Sequence, residues 1–169
     1  MEQIIHAIQS DIEEIEYIMR TAWNTTENKD WYVTDDSTFL ARHIEEEGYI
    51  LKYTSGEVIA GFLVVRHPGL AEDNLGRYLP DWAEKKSEQV AHMESAAVLP
   101  EFRGQKIQQK LLLSAEEQER KSGINYLMAT VHPDNLYSRR NLEQLGYMEV
   151  TEVEKYGGLR RKILCKKLF

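Results

Sequence analysis

At 169 residues, with 42% hydrophobic side chains, the chain has the length of one ordinary domain and enough apolar material for a core. Its 28 acidic and 21 basic residues leave a formal charge of −7, which argues against a nucleic-acid or anionic-membrane binder but leaves room for a local anion site. A lone cysteine, Cys165, forms no internal disulfide, no opening stretch resembles a signal peptide, and no apolar run approaches the roughly 18 residues of a membrane span. A cytoplasmic protein is expected.

Glu2 to Gln9, with Ile4, Ile5 and Ile8, reads as a first strand. Ser10 or Asp11 caps a helix whose buried stripe is Ile12, Ile15, Ile18, Met19 and Ala22, running to about Trp23. Asn24 to Asp36 is polar, interrupted by Trp31, Tyr32 and Val33, and reads as an irregular loop. A second helix is predicted over Thr38 to Glu47, with Gly48 as terminator. His43 on its inner face reads as a packing residue. Tyr49–Tyr53 and Val58–Arg66 are strand patterns joined by the turn Thr54-Ser55-Gly56-Glu57. Gly61 inside the second admits a bulge, a close ligand approach or simple relief of twist. Leu70 to Glu88 reads as a loop with short helical pieces, in which Asp73, Arg77, Asp81 and Trp82 are candidates for setting specificity.

His92 to Leu99 then reads as a strand stopped by Pro100, which has no N–H to give a sheet. A charged turn, Glu101-Phe102-Arg103-Gly104, precedes an amphipathic helix marked by Ile107, Leu111, Leu112 and Ala115. The mouth of such a strand-turn-helix unit collects free backbone N–H groups, which suit a phosphate, and Arg103 adds positive charge there. Ile124 to Val131 is a further strand. His132-Pro133-Asp134 is a turn, Asn135 or Asp134 caps the next helix, and that helix ends before Gly146. Tyr147–Lys155 and Arg160–Phe169 form a closing hairpin around Tyr156-Gly157-Gly158-Leu159.

Pro100-Glu101-Phe102-Arg103-Gly104-Gln105-Lys106-Ile107 resembles the acetyl-CoA-binding signature of the GNAT superfamily of N-acetyltransferases. A second signature of that family follows at matching order and distance, as Asn135-Leu136-Tyr137-Ser138 and then Leu142-Glu143-Gln144-Leu145-Gly146-Tyr147. The resemblance implies an α/β domain over 1–169 with an insertion at about 69–88. Its mixed, mostly antiparallel sheet has about seven strands flanked by about four helices, and splays between strands 4 and 5. It also implies acetyl-CoA as cofactor. The backbone of Val98 and Leu99 would pair with the pantetheine amides. The N–H groups from Arg103 through Gly104, Gln105, Lys106 and Ile107 to Gln108 would meet the pyrophosphate. Asn135 would contact the pantetheine arm or cap its helix, and Ser138 would let that helix approach the cofactor. Arg139 and Arg140 would lie towards its 3′-phosphate. The family pattern commonly reads Arg/Gln-x-x-Gly-x-Gly/Ala, so Lys106 and Gln108 stand where small residues are usual. Both are expected to take helical angles, leaving a question of space for their side chains.

Acetyl transfer to an amine needs a neutral amine, donors for a developing oxyanion and a proton for the leaving thiolate. A carboxylate within an apolar strand needs an explanation, which makes Glu94 the base candidate. Strict alternation gives Glu94 the same parity as Val98 and His92, and turns Ser95 to the other face. The N–H of Leu99 or Val98 would meet the oxyanion. The family's usual helix tyrosine is replaced by Leu142, so Tyr137 is the acid candidate, with Tyr147 and Tyr156 as alternatives. Trp31, Tyr32, His92 and Tyr156 are expected on the acceptor side. The adjacent Arg160 and Arg161 suit an acceptor bearing a carboxylate or phosphate. The expected acceptor is a small-molecule amine, the alternative being a non-catalytic acyl-CoA-binding module. An exposed sheet edge offers a route to a homodimer.

Overall fold

The computed structural model describes residues 1–32 and 35–169. Val33, read above with Trp31 and Tyr32, lies outside them. Seven strands make one sheet: β1 (Glu2–His6), β2 (Gly48–Ser55), β3 (Val58–Arg66), β4 (Val90–Val98), β5 (Tyr126–Val131), β6 (Met148–Lys155) and β7 (Leu159–Lys167). Their order is β1-β2-β3-β4-β5-β7-β6, antiparallel throughout except for the parallel neighbours β4 and β5. Among the described residues four helices flank it: α1 (Ile12–Thr25), α2 (Ser37–Glu45), α3 (Ile107–Lys121) and α4 (Leu136–Gln144). No helix among the described residues is long and apolar enough to cross a membrane.

The helices cover both faces. Leu111, Leu112 and Ala115 of α3 and Leu142 of α4 pack on Leu63, Val65, Ala91 and Leu127. Ile15, Ile18 and Met19 of α1 and Leu40 of α2 pack on Ile50, Phe62 and Val64 from the other side. Burial on two faces explains why β3 reads as a nearly unbroken apolar run rather than an alternation. It also explains why Ile163, Leu164 and Cys165 of β7 are all buried.

The segment between β3 and β4 carries two 3-10 turns, Leu75–Tyr78 and Glu84–Gln89. Leu75 and Leu79 join Val90, Met128 and Ile163 in a third apolar cluster, so the segment is anchored on the sheet. Asp36 caps α2, accepting from the Phe39 N–H at 2.9 Å. Asp11 does not cap α1 with its side chain as expected; its carboxylate accepts from the Ile8 N–H and pairs with Lys52, both at 2.8 Å. His43 is buried as expected. Its Nδ1 is spent on the Phe39 carbonyl, and its Nε2 has no hydrogen-bond partner.

Candidate active site

Two irregularities in β4 build the site. The first is a bulge. Val64 pairs with Ser95 and Val65 with Met93, so Glu94 is the extra residue and has no partner on β3. Such a bulge bends the strand and re-aims side chains. It also breaks the alternation expected from the sequence. Ala91 and Met93 pack on the α3 side, as do Ala96 and Val98, whereas Ala97 and Leu99 pack on the α1 side. The parity argument therefore fails at Glu94 itself. Ser95 does not leave the site: it lines the same cavity as Glu94, and its hydroxyl lies 3.4 Å from that of Tyr32.

The second irregularity is the parting of β4 from β5. The parallel ladder joins Val90 to Tyr126, Ala91 to Leu127 and His92 to Met128, and the strands then diverge. On the other edge, the Leu99 N–H donates to the Ala60 carbonyl at 2.8 Å. Antiparallel pairs alternate between bonded and non-bonded, so Val98, opposite Gly61, points its N–H and C=O away from β3, as does Ala96. Those groups face the gap. This corrects one expectation: the Leu99 N–H is committed within the sheet, and of the two oxyanion donors considered only Val98 has its N–H free of β3. A Cβ on Gly61 would come within 3.0 Å of the Ala97 carbonyl and 3.2 Å of Ile107, so this glycine serves the close packing of β3, β4 and α3 rather than a ligand.

The gap opens into a continuous passage. Its outer groove is lined by Val98, Arg103 and Tyr137, and its inner cavity by Glu94, Thr130, Tyr156 and Arg161. Both share Trp31, Tyr32, Ala96, Gln108, Asn135 and Ser138. Past Glu94 and Tyr156 a further cavity reaches Arg66, Asp73 and Lys155. Of the residues considered for the acceptor side, Trp31, Tyr32 and Tyr156 line the inner cavity and His92 the further one, while Trp31 and Tyr32 line the outer groove too. The buried Trp31 Nε1 has no hydrogen-bond partner among the described residues.

At the outer end, the main chain enters α3 through Gly104 at φ 83° and Lys106 at φ 59° and ψ 28°. Lys106 is therefore left-handed, not helical as expected. In this conformation a Cβ costs about 1–2 kcal/mol, so the question at Lys106 is one of dihedral angles as well as of space. The first internal bond of α3 runs from Lys110 to the Lys106 carbonyl, and no side chain caps the helix. The N–H groups of Ile107, Gln108 and Gln109 are left without intrahelical acceptors and fit an anion. The Gln108 side chain accepts from Asn141 at 2.9 Å, which draws it towards α4 along the shared waist of the passage. Arg103 bonds the Thr25 hydroxyl at 3.1 Å. Gln105 is exposed in the same turn. Asn135 caps α4, accepting from the Ser138 N–H at 3.3 Å, and lines the passage as well. Arg139, considered for the 3′-phosphate, is engaged with Glu143 at 2.9 Å.

At the inner end, the Leu75 backbone donates to His92 Nε2 at 2.9 Å, and His92 Nδ1 lies 3.2 Å from Glu94 Oε2. A backbone N–H is always the donor, so Nε2 carries the lone pair and Nδ1 the proton given to Glu94. His92 thus holds one oxygen of Glu94, and the segment between β3 and β4 sets its orientation. Arg66 binds Asp73 through two hydrogen bonds, at 2.8 and 3.0 Å, and lies 3.9 Å from Glu94 Oε1. Burial pushes the Glu94 pKa up, but the His92 bond, with Arg66 and His43, outweighs it and holds the carboxyl below its ordinary value. Asp35 shows the reverse: burial, then the charges of Glu94 and Asp36, push it up to about 6. Burial pushes the Tyr32 phenol up to about 12.

The acid candidates separate. Tyr137 is 58% exposed and lines the outer groove, so the structure does not bring it together with Glu94. Leu142 lines the inner cavity as an apolar wall, and the buried Tyr147 hydroxyl has no partner. Tyr156 lines the inner cavity, its hydroxyl 3.4 Å from that of Thr130. Of the residues considered in the segment between β3 and β4, Asp73 reaches the site. Asp81 pairs instead with Lys86 at 2.8 Å, and Trp82 packs beside Gly76.

A model of the acetyltransferase (GNAT) family matches residues 10–147. The chain belongs to this family. The GNAT fold extends over the whole chain in solved structures. The ribosomal-protein-S18-alanine N-acetyltransferase of Escherichia coli is 17% identical, with a TM-score of 0.75 over 99% of this chain and 94% of that one. YncA of Salmonella typhimurium, solved with its cofactor acetyl-CoA, is 20% identical, with a TM-score of 0.70 over 100% of this chain and 95% of that one. An N-acetyltransferase of Staphylococcus aureus Mu50 is 17% identical, with a TM-score of 0.74 over 100% and 99%. No curated protein matches the sequence. The GNAT assignment agrees with the gap beside β4 and the uncapped start of α3, both of which fit the family's acetyl-CoA.

Proposed function

We propose that this GNAT chain transfers an acetyl group from acetyl-CoA to a primary amine of a small molecule, by direct attack in a ternary complex. The observation that carries this reading is the position of Glu94. It lines the inner cavity, which the outer groove with its free backbone groups joins at Ala96 and Gln108, and it also lines the further cavity that continues towards Arg66 and Asp73. Two reactants can thus approach from opposite sides, which is the geometry that direct transfer requires.

The cofactor, when bound, supplies the acetyl group as an activated thioester. The backbone of Ala96 and Val98 would hold its arm, and the N–H groups at the start of α3, with Arg103 and Lys106, its phosphates. Glu94 is ionised near neutral pH, with one oxygen held by His92. It attracts the ammonium form of the acceptor and takes its proton directly or through a water. Tyr32, Trp31 and Tyr156 wall the acceptor and exclude solvent. Tyr156, its hydroxyl beside that of Thr130, is our candidate among the hydroxyls of this cavity to return a proton.

A second reading, an acyl-CoA-binding module without catalysis, draws on the Gln108 side chain at the waist and on Leu142 in place of a hydroxyl. Calorimetry with acetyl-CoA, on the wild type and on Arg103→Ala, followed by thiol release across an amine panel, separates the two. Micromolar binding weakened by the substitution, together with amine-dependent thiol release, supports transfer. Binding without release from any amine supports the module. A folded protein that binds neither acetyl-CoA nor longer acyl-CoAs sinks both.

A further inference from the structure

Arg160 and Arg161 are neighbours on β7 and have opposite fates. Arg160 faces solvent and pairs with Glu152 at 3.1 Å. Arg161 is 3% exposed and lines the inner cavity with Glu94. Its terminal nitrogens donate to two backbone carbonyls, of Arg160 at 2.7 Å and of Asp30 at 2.6 Å. The Tyr156 ring lies 5.4 Å from the guanidinium carbon. Among the described residues no carboxylate forms an ion pair with Arg161. A guanidinium has five N–H donors, so three are without an acceptor among the described residues. Burying a cation with no carboxylate in contact is costly, and burial lowers the pKa of Arg161 against the opposing charge of the nearby Asp30. The fold bears this cost at a cavity wall.

We infer that Arg161 is the recognition point for a carboxylate on the acceptor, which makes the acceptor a free amino acid or a comparably short amine bearing a carboxylate. This rests on the acetyl-transfer reading above and narrows its substrate class. The inner cavity presents one carboxylate, Glu94, and one guanidinium, Arg161. That pair complements a zwitterion, with ammonium towards Glu94 and carboxylate towards the fork of Arg161. A polyamine or aminoglycoside would instead bring cations against Arg161, at a like-charge cost. The acidic overall charge of the chain attracts cations at long range, but it does not decide what the cavity accepts. Arg66 is a poorer carboxylate site, since Asp73 already takes it through two bonds.

The test is calorimetric titration of the CoA-loaded protein with free α-amino acids and short ω-amino acids, each against its own carboxamide. The carboxamide keeps the amine and the side chain and loses only the charge. Arg161→Gln is measured in parallel, with its fold checked by thermal melting and by CoA binding. At least one acid should bind about 10- to 100-fold more tightly than its carboxamide, as expected for charge-assisted bonds to a buried guanidinium. That ratio should fall to near one in Arg161→Gln. Equal binding of every acid and its carboxamide by the wild type overturns the inference without recourse to the variant, as does binding of neither. A ratio that persists in folded Arg161→Gln assigns recognition elsewhere and also overturns it. Thiol release measured on the same pairs keeps the two readings apart. Selective acid binding without release leaves the carboxylate site standing and defeats transfer. Equal release from acids and carboxamides does the opposite.

Discussion

Glu94, partly buried, and Glu119, fully buried, are both carboxylates held by a histidine, and they differ in what is left over. Glu119, on α3, is 1% exposed. It accepts the Tyr49 hydroxyl at 2.6 Å, and its two oxygens lie 3.1 and 3.0 Å from His67 Nε2. These partners tie α3 to β2 and to the end of β3. Glu94 has one close partner, His92 at 3.2 Å, and a more distant Arg66 at 3.9 Å. Its side chain is 23% exposed and opens onto two cavities. A saturated carboxylate has no capacity left for a ligand. One fixed on a single side keeps its charge and orientation and leaves lone pairs for something else. The same contrast separates Arg160 from Arg161.

Glu94→Gln is the strongest way to break the comparison. It keeps shape and one acceptor but removes charge and basicity. Amine-dependent kcat/KM should fall by about 10²- to 10⁴-fold, the usual range for a general base. Acetyl-CoA affinity and the urea midpoint should move little. Activity within threefold of wild type would make Glu94 as structural as Glu119.

Glu119→Ala should show the reverse. It strands the Tyr49 hydroxyl and loses the His67 bond, so unfolding free energy should drop by about 2 kcal/mol. The kcat/KM per folded molecule should hold. A loss of activity without a loss of stability would mean that the far end of α3 communicates with the site.

The pH dependence sharpens the contrast further, by a smaller amount. The Glu119 bond raises the His67 pKa above the ordinary histidine value, against an opposing effect of burial. His67 therefore contributes stability that is full below the unfolded value of about 6.5, and that is lost as pH rises through the higher folded value. Glu94 works in the opposite sense. Its depressed pKa contributes stability above the ordinary carboxylate value, lost as pH falls through the folded one. Urea midpoints of the wild type and His67→Gln between pH 5 and 9 should converge as pH rises. Parallel curves would show that the His67–Glu119 contact carries no proton linkage. Asp35, pushed up to about 6, also loses stability with rising pH, but in the window between the unfolded value and about 6. Asp35→Asn flattens that window alone.

Much of the fold was legible because its signals are local. The stripe Ile12, Ile15, Ile18 and Met19 gave α1, and the two signatures placed the mouth of α3 and the cap at Asn135. The site was legible where a motif names a backbone position, as for Val98 and Asn135. It was not legible where geometry depends on a neighbour. The bulge at Glu94 exists only against β3, so counting parity along β4 alone turned Ser95 the wrong way. The spent N–H of Leu99 likewise needs Ala60. Thr130 and Arg161 line one cavity with Glu94 because β5 and β7 follow β4 in the sheet, a pairing that joins residues far apart in sequence. Asp35 stands out only in the structure, since its shift comes from burial and from Glu94.

The smallest expected effect lies at Lys106, where the contrast passes from side chains to backbone. Its left-handed conformation is a cost the fold carries at the cofactor mouth. Glycine removes the Cβ penalty of about 1–2 kcal/mol but adds chain entropy to the unfolded state, so Lys106→Gly should stabilise by a net of about 0.5 kcal/mol. If the lysine is retained for its charge near the phosphates, the same variant should bind acetyl-CoA several-fold more weakly, and more so at low salt. Gains in both stability and affinity would mean that the lysine contributes nothing to binding and the strain serves no ligand. A loss of stability would show that the Lys106 side chain, like the partners of Glu119, is part of what holds the loop together.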